Sequence, residues 1–177
     1  MSLFDLMQLR LLLAFVVMCL VSSCVKEPSY PVIPAIEFKS VSSDFIYSGS
    51  VDTITFSFTD GDGDIGVRES DGDSCNPCGL ESGDSSCLRM SGFNVFLIDD
   101  RDNCVGTFAS ANVEPDGNLK AIAGEIEVIR AIDSKKCLIV PDPLCPLDTV
   151  VYTIILRDKA GNFSNAIRTV PIYVSGQ

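Results

Sequence analysis

Histidine and tryptophan are both absent from this chain of 177 residues, and basic residues are scarce, with 13 Lys and Arg against 24 Asp and Glu and a formal charge of -11. Without histidine there is no Ser-His-Asp or Cys-His nucleophile system, no histidine-ligated zinc, and no side chain of the commonest general-base type. Most hydrolase mechanisms therefore lose a working part. Without clustered Lys and Arg there is no footprint for nucleic acid, whose phosphates dominate binding, so no nucleic-acid partner is expected. Without tryptophan, the flat platforms on which sugar-binding modules stack their ligands lack their largest aromatic face. Long apolar runs are scarce too. The exception, Leu11–Leu20 (LLLAFVVMCL), is shorter than the about twenty residues that a membrane-spanning helix needs.

What is present begins with that run. It follows Arg10 in the charged-then-apolar order of a secretory signal, and Met7 opens a cleaner version of the same leader. The next segment, Leu20-Val21-Ser22-Ser23-Cys24, resembles a bacterial lipobox, in which an aliphatic and two small residues precede a cysteine that is lipidated after cleavage. The resemblance implies a leader over residues 1–23, lipidation at Cys24, and a protein attached to a membrane through its lipid. At roughly 0.8 kcal/mol per buried methylene, more than one acyl chain makes such an anchor stable. Val25-Lys26-Glu27, rather than Asp, follows the cysteine; by the enterobacterial sorting rule this implies the outer membrane, facing either the periplasm or the cell surface. Residues 24–34, with three prolines in Val25–Pro34 (VKEPSYPVIP), read as a semi-extended tether.

From residue 35 to 177 the pattern is that of strands separated by Gly, Asp, Asn and Pro turns. Val51–Thr59 (VDTITFSFT) alternates most clearly, with Ile54, Phe56 and Phe58 on one face. Similar runs lie at 36–41, 93–98, 105–109, 125–131, 150–157 and 166–174, and seven short strands predict an all-β sandwich or barrel. Asp158-Lys159-Ala160-Gly161-Asn162-Phe163-Ser164-Asn165 between the last two reads as a hairpin turn. This turn, together with Phe56–Gly66 (FSFTDGDGDIG), resembles the immunoglobulin-like lipoproteins of Bacteroidetes-type bacteria. The resemblance implies an immunoglobulin-like sandwich of about seven strands, here carrying a disulfide-rich insertion, and implies little about function.

Two clusters carry chemistry. Asp60, Asp62 and Asp64 alternate with Gly61 and Gly63, and Asp71 falls where the twelfth ligand of a calcium loop would stand. Hard oxygen donors on a flexible backbone suit Ca²⁺, although Ile65 occupies the sixth, glycine position and the twelfth is Asp in place of Glu. The plain alternative is a solvated Asp-Gly turn. Cys75, Cys78, Cys87, Cys104, Cys137 and Cys145 form an even set in an exported chain, which reads as a disulfide framework of undetermined connectivity. Cys75-Asn76-Pro77-Cys78 also has zinc or redox spacing, without the second pair or the βαβ setting those sites need. The chain is thus expected to be a non-enzymatic binding or structural module, with the surface from Asp60 to Cys87 turned outward toward a protein or glycan partner. Alternatives are an accessory component of a surface nutrient-uptake or adhesion complex and, more remotely, a carboxylate-dependent hydrolase.

Overall fold

The computed structural model describes residues 29–67, 92–113, 120–136 and 146–176, together with Gln8. From residue 29 onward the described residues form ten strands and no helix. These are β1 (Ala35–Val41), β2 (Phe45–Tyr47), β3 (Ser50–Asp60), β4 (Val95–Asp99), β5 (Val105–Phe108), β6 (Ile122–Ile132), β7 (Asp148–Val150), β8 (Tyr152–Leu156), β9 (Ile167–Arg168) and β10 (Ile172–Ser175). They assemble as β1-β3-β6, β2-β10-β7 and β5-β4-β8-β9, none of them closed. All pairings are antiparallel except β2 with β10.

The second and third sheets share two interrupted runs. Val151 separates β7 from β8, and Thr169–Pro171 separate β9 from β10. Pro171 has no N–H for a ladder bond. Thr169 fills the break from its side chain, its hydroxyl accepting the Tyr152 N–H at 3.0 Å. The two sheets therefore continue each other as one layer, which faces β1-β3-β6 across the core. The seven expected runs are all found; β2 is an eighth, and the two interruptions bring the total to ten. The result is an all-β sandwich whose arrangement fits the immunoglobulin-like class.

The core follows from the period-two alternation of the strands. Ile54, Phe56, Phe58, Val128 and Ile132 from one layer meet Val95, Leu97, Val150, Tyr152, Ile154, Leu156, Ile172 and Val174 from the other. On β3 the inward face runs Asp52, Ile54, Phe56, Phe58, Asp60, with a buried aspartate at each end. The two are eight positions apart along the strand, or about 27 Å. Asp52 is held locally through Oδ1, which accepts from Ser43 N–H at 3.2 Å, from Thr53 N–H at 2.8 Å and from the Ser42 hydroxyl, while its Oδ2 is buried without a hydrogen-bond partner. Asp60 lies in a different setting.

The leader apart from Gln8, Cys24, Asp71 and Cys75, Cys78, Cys87, Cys137 and Cys145 lie outside the described residues. Cys104, just before β5, is described and is disulfide-bonded.

Candidate metal centre

Asp60 ends β3, and the chain then turns through Gly61, Asp62 and Gly63 to Asp64. The Asp64 N–H donates to Asp60 Oδ2 at 3.0 Å, which closes the loop back on the strand end. Gly63 holds a φ of 72°, a conformation that costs a residue with a Cβ. Ile65, in the position where an EF-hand would have glycine, is a core residue 1% exposed. It anchors the loop, and its carbonyl accepts the Val113 N–H at 3.3 Å.

The far half of the site comes from the turn after β8. Asp158 is 3% exposed, and its carboxylate accepts from Asn162, Oδ1 from the backbone N–H at 2.7 Å and Oδ2 from the side-chain amide at 2.8 Å. The hairpin is stitched to the acidic loop. Lys159 N–H donates to the Asp64 carbonyl at 3.1 Å, and Ala160 N–H to Asp64 Oδ2 at 2.9 Å, across 96 positions of sequence. One carboxylate oxygen each from Asp60, Asp64 and Asp158 consequently lie within 4.8 Å of one another.

Three oxygens here have no hydrogen-bond partner although they are buried: Oδ1 of Asp60, of Asp62 and of Asp64. Burial pushes the Asp60 carboxyl up to about 6 from 3.8, against the bond from Asp64 N–H, with the Asp62 and Asp64 carboxylates adding to the rise. Burial likewise raises Asp64, helped by Asp158 and Asp62. The neighbouring cations have other engagements, Lys159 Nζ with Asn112 Oδ1 and Arg157 Nη2 with the Phe93 carbonyl at 2.8 Å. The donor set is all oxygen, with no thiolate or imidazole, the kind of set that hard divalent cations such as Ca²⁺ and Mg²⁺ take.

Asp60, Asp62 and Asp64, read from the sequence as one loop, are therefore together in space. Asp158 was not among the residues read as ligands: it opens the D-x-A-G-N turn, and turn formation by itself accounts for an aspartate there. A Cβ on Gly61 would lie 2.3 Å from the Tyr30 carbonyl oxygen and 2.7 Å from that of Pro31, so the tether backbone runs directly over the acidic loop. Asn165 fixes the same junction, its amide bonding both N–H and C=O of Ile36 at 2.9 Å. This is the tether end of the sandwich.

The remote end is built from the opposite balance of charge. Arg101 bonds Asp99 at 2.7 Å and Asp148 at 2.9 Å, Lys135 reaches Asp99 at 3.1 Å and also Asp102, and Lys136 reaches Asp148 at 3.6 Å. Burial acts to raise Asp99, but the bonds from Arg101 and Lys135 overrule it and hold the carboxyl at about 2. Asp148 is held low in the same way, burial being outweighed by the Lys135 N–H and the Arg101 guanidinium.

No family model matches the chain, and no curated protein matches it. Among solved structures it is similar to the crystal structure of Spo0M, a sporulation control protein from Bacillus subtilis, at 9% identity and a TM-score of 0.36. The match covers 82% of this chain and 50% of that one, so the chain spans about half the length of that protein. A likeness this distant says nothing of what either protein binds.

Proposed function

We propose that this chain is a lipid-anchored bacterial outer-membrane lipoprotein, a non-enzymatic binding or structural module whose tether end is fixed by Ca²⁺ held between Asp60, Asp62, Asp64 and Asp158. The observation that supports the calcium part is the convergence of Asp60, Asp64 and Asp158 from two distant segments, with buried oxygens of Asp60, Asp62 and Asp64 left unpartnered. An unpaired buried charge is strongly destabilising, and a divalent cation removes the repulsion and satisfies the open lone pairs together. Asp71 belongs to the sequence-derived set and lies outside the described residues.

The anchoring part rests on the lipobox-like segment ending at Cys24, six positions before Tyr30. Six extended residues reach about 21 Å, so a lipid at Cys24 keeps the acidic loop close to the bilayer and presents the remote end outward. There the exposed rings of Phe45, Tyr47 and Tyr173 cluster on β2 and β10, with Phe45 and Tyr47 packed edge to face at 6.1 Å. Exposed aromatics on a rigid sheet suit a protein or glycan partner.

The test is thermal unfolding of the exported, processed protein in chelator and in calcium. Calcium is expected to raise the Tm, and Asp158→Asn and Asp62→Asn are each expected to abolish most of the rise. An equal melt in both conditions, or a full calcium response in Asp158→Asn, overturns the proposed site. Acylation is tested separately by mass spectrometry of the processed N-terminus, where an unmodified Cys24 thiol would overturn the anchor.

A further inference from the structure

Arg130 on β6 points into the seam between β6 and β5, the edge strands of the two layers at this side of the sandwich. Its guanidinium carbon lies 4.7 Å from the centroid of the fully buried Tyr152 ring. Stacking of this kind holds the guanidinium plane and leaves its edge, where the N–H groups are, free for in-plane contacts. Gly106 on β5 supplies the space, since a Cβ there would sit 3.1 Å from Arg130 Nη1. That nitrogen is buried and has no acceptor. Arg130 has only a marginal contact, Nε to the Ala131 carbonyl at 3.5 Å, while Arg101, Lys135 and Lys136 beside it are each paired with carboxylates. A cavity of about 290 Å³ opens there, lined by Arg130, Arg101, Lys135 and Gly106 and also by the carboxylates Asp99, Asp102 and Asp133.

We infer that this cavity is a binding site for a small carboxylate ligand, received by the edge of the Arg130 guanidinium. The cavity is small, its other cations are already neutralised, and the uncommitted group is a planar fork held by stacking, which matches the planar, two-oxygen geometry of a carboxylate. The site lies at the end remote from the acidic loop and stands independently of the calcium proposal.

The test uses the full processed protein with acetate and succinate as probes and acetamide as the neutral counterpart of acetate. Modification of Arg130 by phenylglyoxal, mapped on peptides, is expected to slow at least fivefold with acetate or succinate and to be unchanged by acetamide, with and without chelator. Acetate affinity measured by NMR titration is expected to fall at least tenfold in Arg130→Lys, which keeps the charge and loses the fork. In Gly106→Ala, where the added methyl crowds Nη1, it is expected to fall at least threefold. Equal protection by acetamide, no protection by either acid, or full affinity in either variant overturns the inference. If Arg130→Lys fails to fold, the Gly106→Ala result and the protection assay on the unaltered protein decide it.

Discussion

At the remote end of the sandwich Asp99 and Asp148 are buried against Arg101, with Lys135 and Lys136 close by, and both carboxyls are held below their ordinary range. At the tether end Asp60 and Asp158 are just as buried, yet what they face is Asp64 and Asp62, and Asp60 rises to about 6. Both ends put aspartates at the termini of core strands, and both close a loop with them. They differ in where the compensating charge comes from. One end draws it from cations of the chain; at the other, burial and the neighbouring carboxylates raise Asp60 and Asp64, and the calcium proposed above would supply the rest. Buried aspartate alone is therefore no sign of a ligand site, and what differs between the two ends is the position of the nearest cation.

Several substitutions sharpen this contrast, beginning with the largest expected effect. Arg101→Met strands Asp99 and Asp148 together and is expected to lower the unfolding free energy by about 3–5 kcal/mol in urea titrations. A loss under about 1 kcal/mol would place this network with exposed surface pairs instead. Calcium at about a hundred times its Kd is expected to add about 2.7 kcal/mol, and the increment should survive in Arg101→Met because the two ends share no partners.

Acid unfolding probes the remote end by itself. The Asp99 carboxyl is held at about 2, below its ordinary 3.8, so its contribution is complete above 3.8 and is lost as pH falls toward 2. That window corresponds to about 2 kcal/mol, which should appear in unfolding titrations between pH 5 and 2 and be absent from Arg101→Met. Smallest is Asp60→Asn in chelator at pH 7. Removal of a charge that burial disfavours should leave stability unchanged or raise it by about 1–2 kcal/mol, while the calcium increment disappears. A clear loss of stability in chelator would mean that Asp60 is compensated within the chain after all.

Much of this architecture can be read from residue order. The alternation of Ile54, Phe56 and Phe58 predicts β3 and its inward face, and the polar turn at 158–165 predicts the hairpin that follows β8. The misses have local causes. Phe45–Tyr47 is three residues long, too short for any period to register, and it owes its strand character to β10 alongside. The breaks at Val151 and at Thr169–Pro171 interrupt runs whose apolar pattern continues through them. Val151 is turned toward the β4–β5 loop, exchanging bonds with Asp100, its N–H donating to Asp100 Oδ1 and its carbonyl accepting the Asp100 N–H.

The sequence by itself determined the strand periods, the supply of oxygen donors at 60–64, and the absence of histidine chemistry, because these depend on residue type and on spacing of a few positions. Tertiary structure alone decided which aspartates became neutralised and which did not. In sequence, Asp60 and Asp99 each end a strand and run into further aspartates, and Asp99 is set apart only by Arg101 two positions on, whose reach to Asp148 spans 47 more. Asp158 enters the acidic site from 96 positions away through the hairpin stitched to Asp64. Coulomb energy falls with distance through space and takes no account of distance along the chain, so the sign of each site was fixed only when the layers closed.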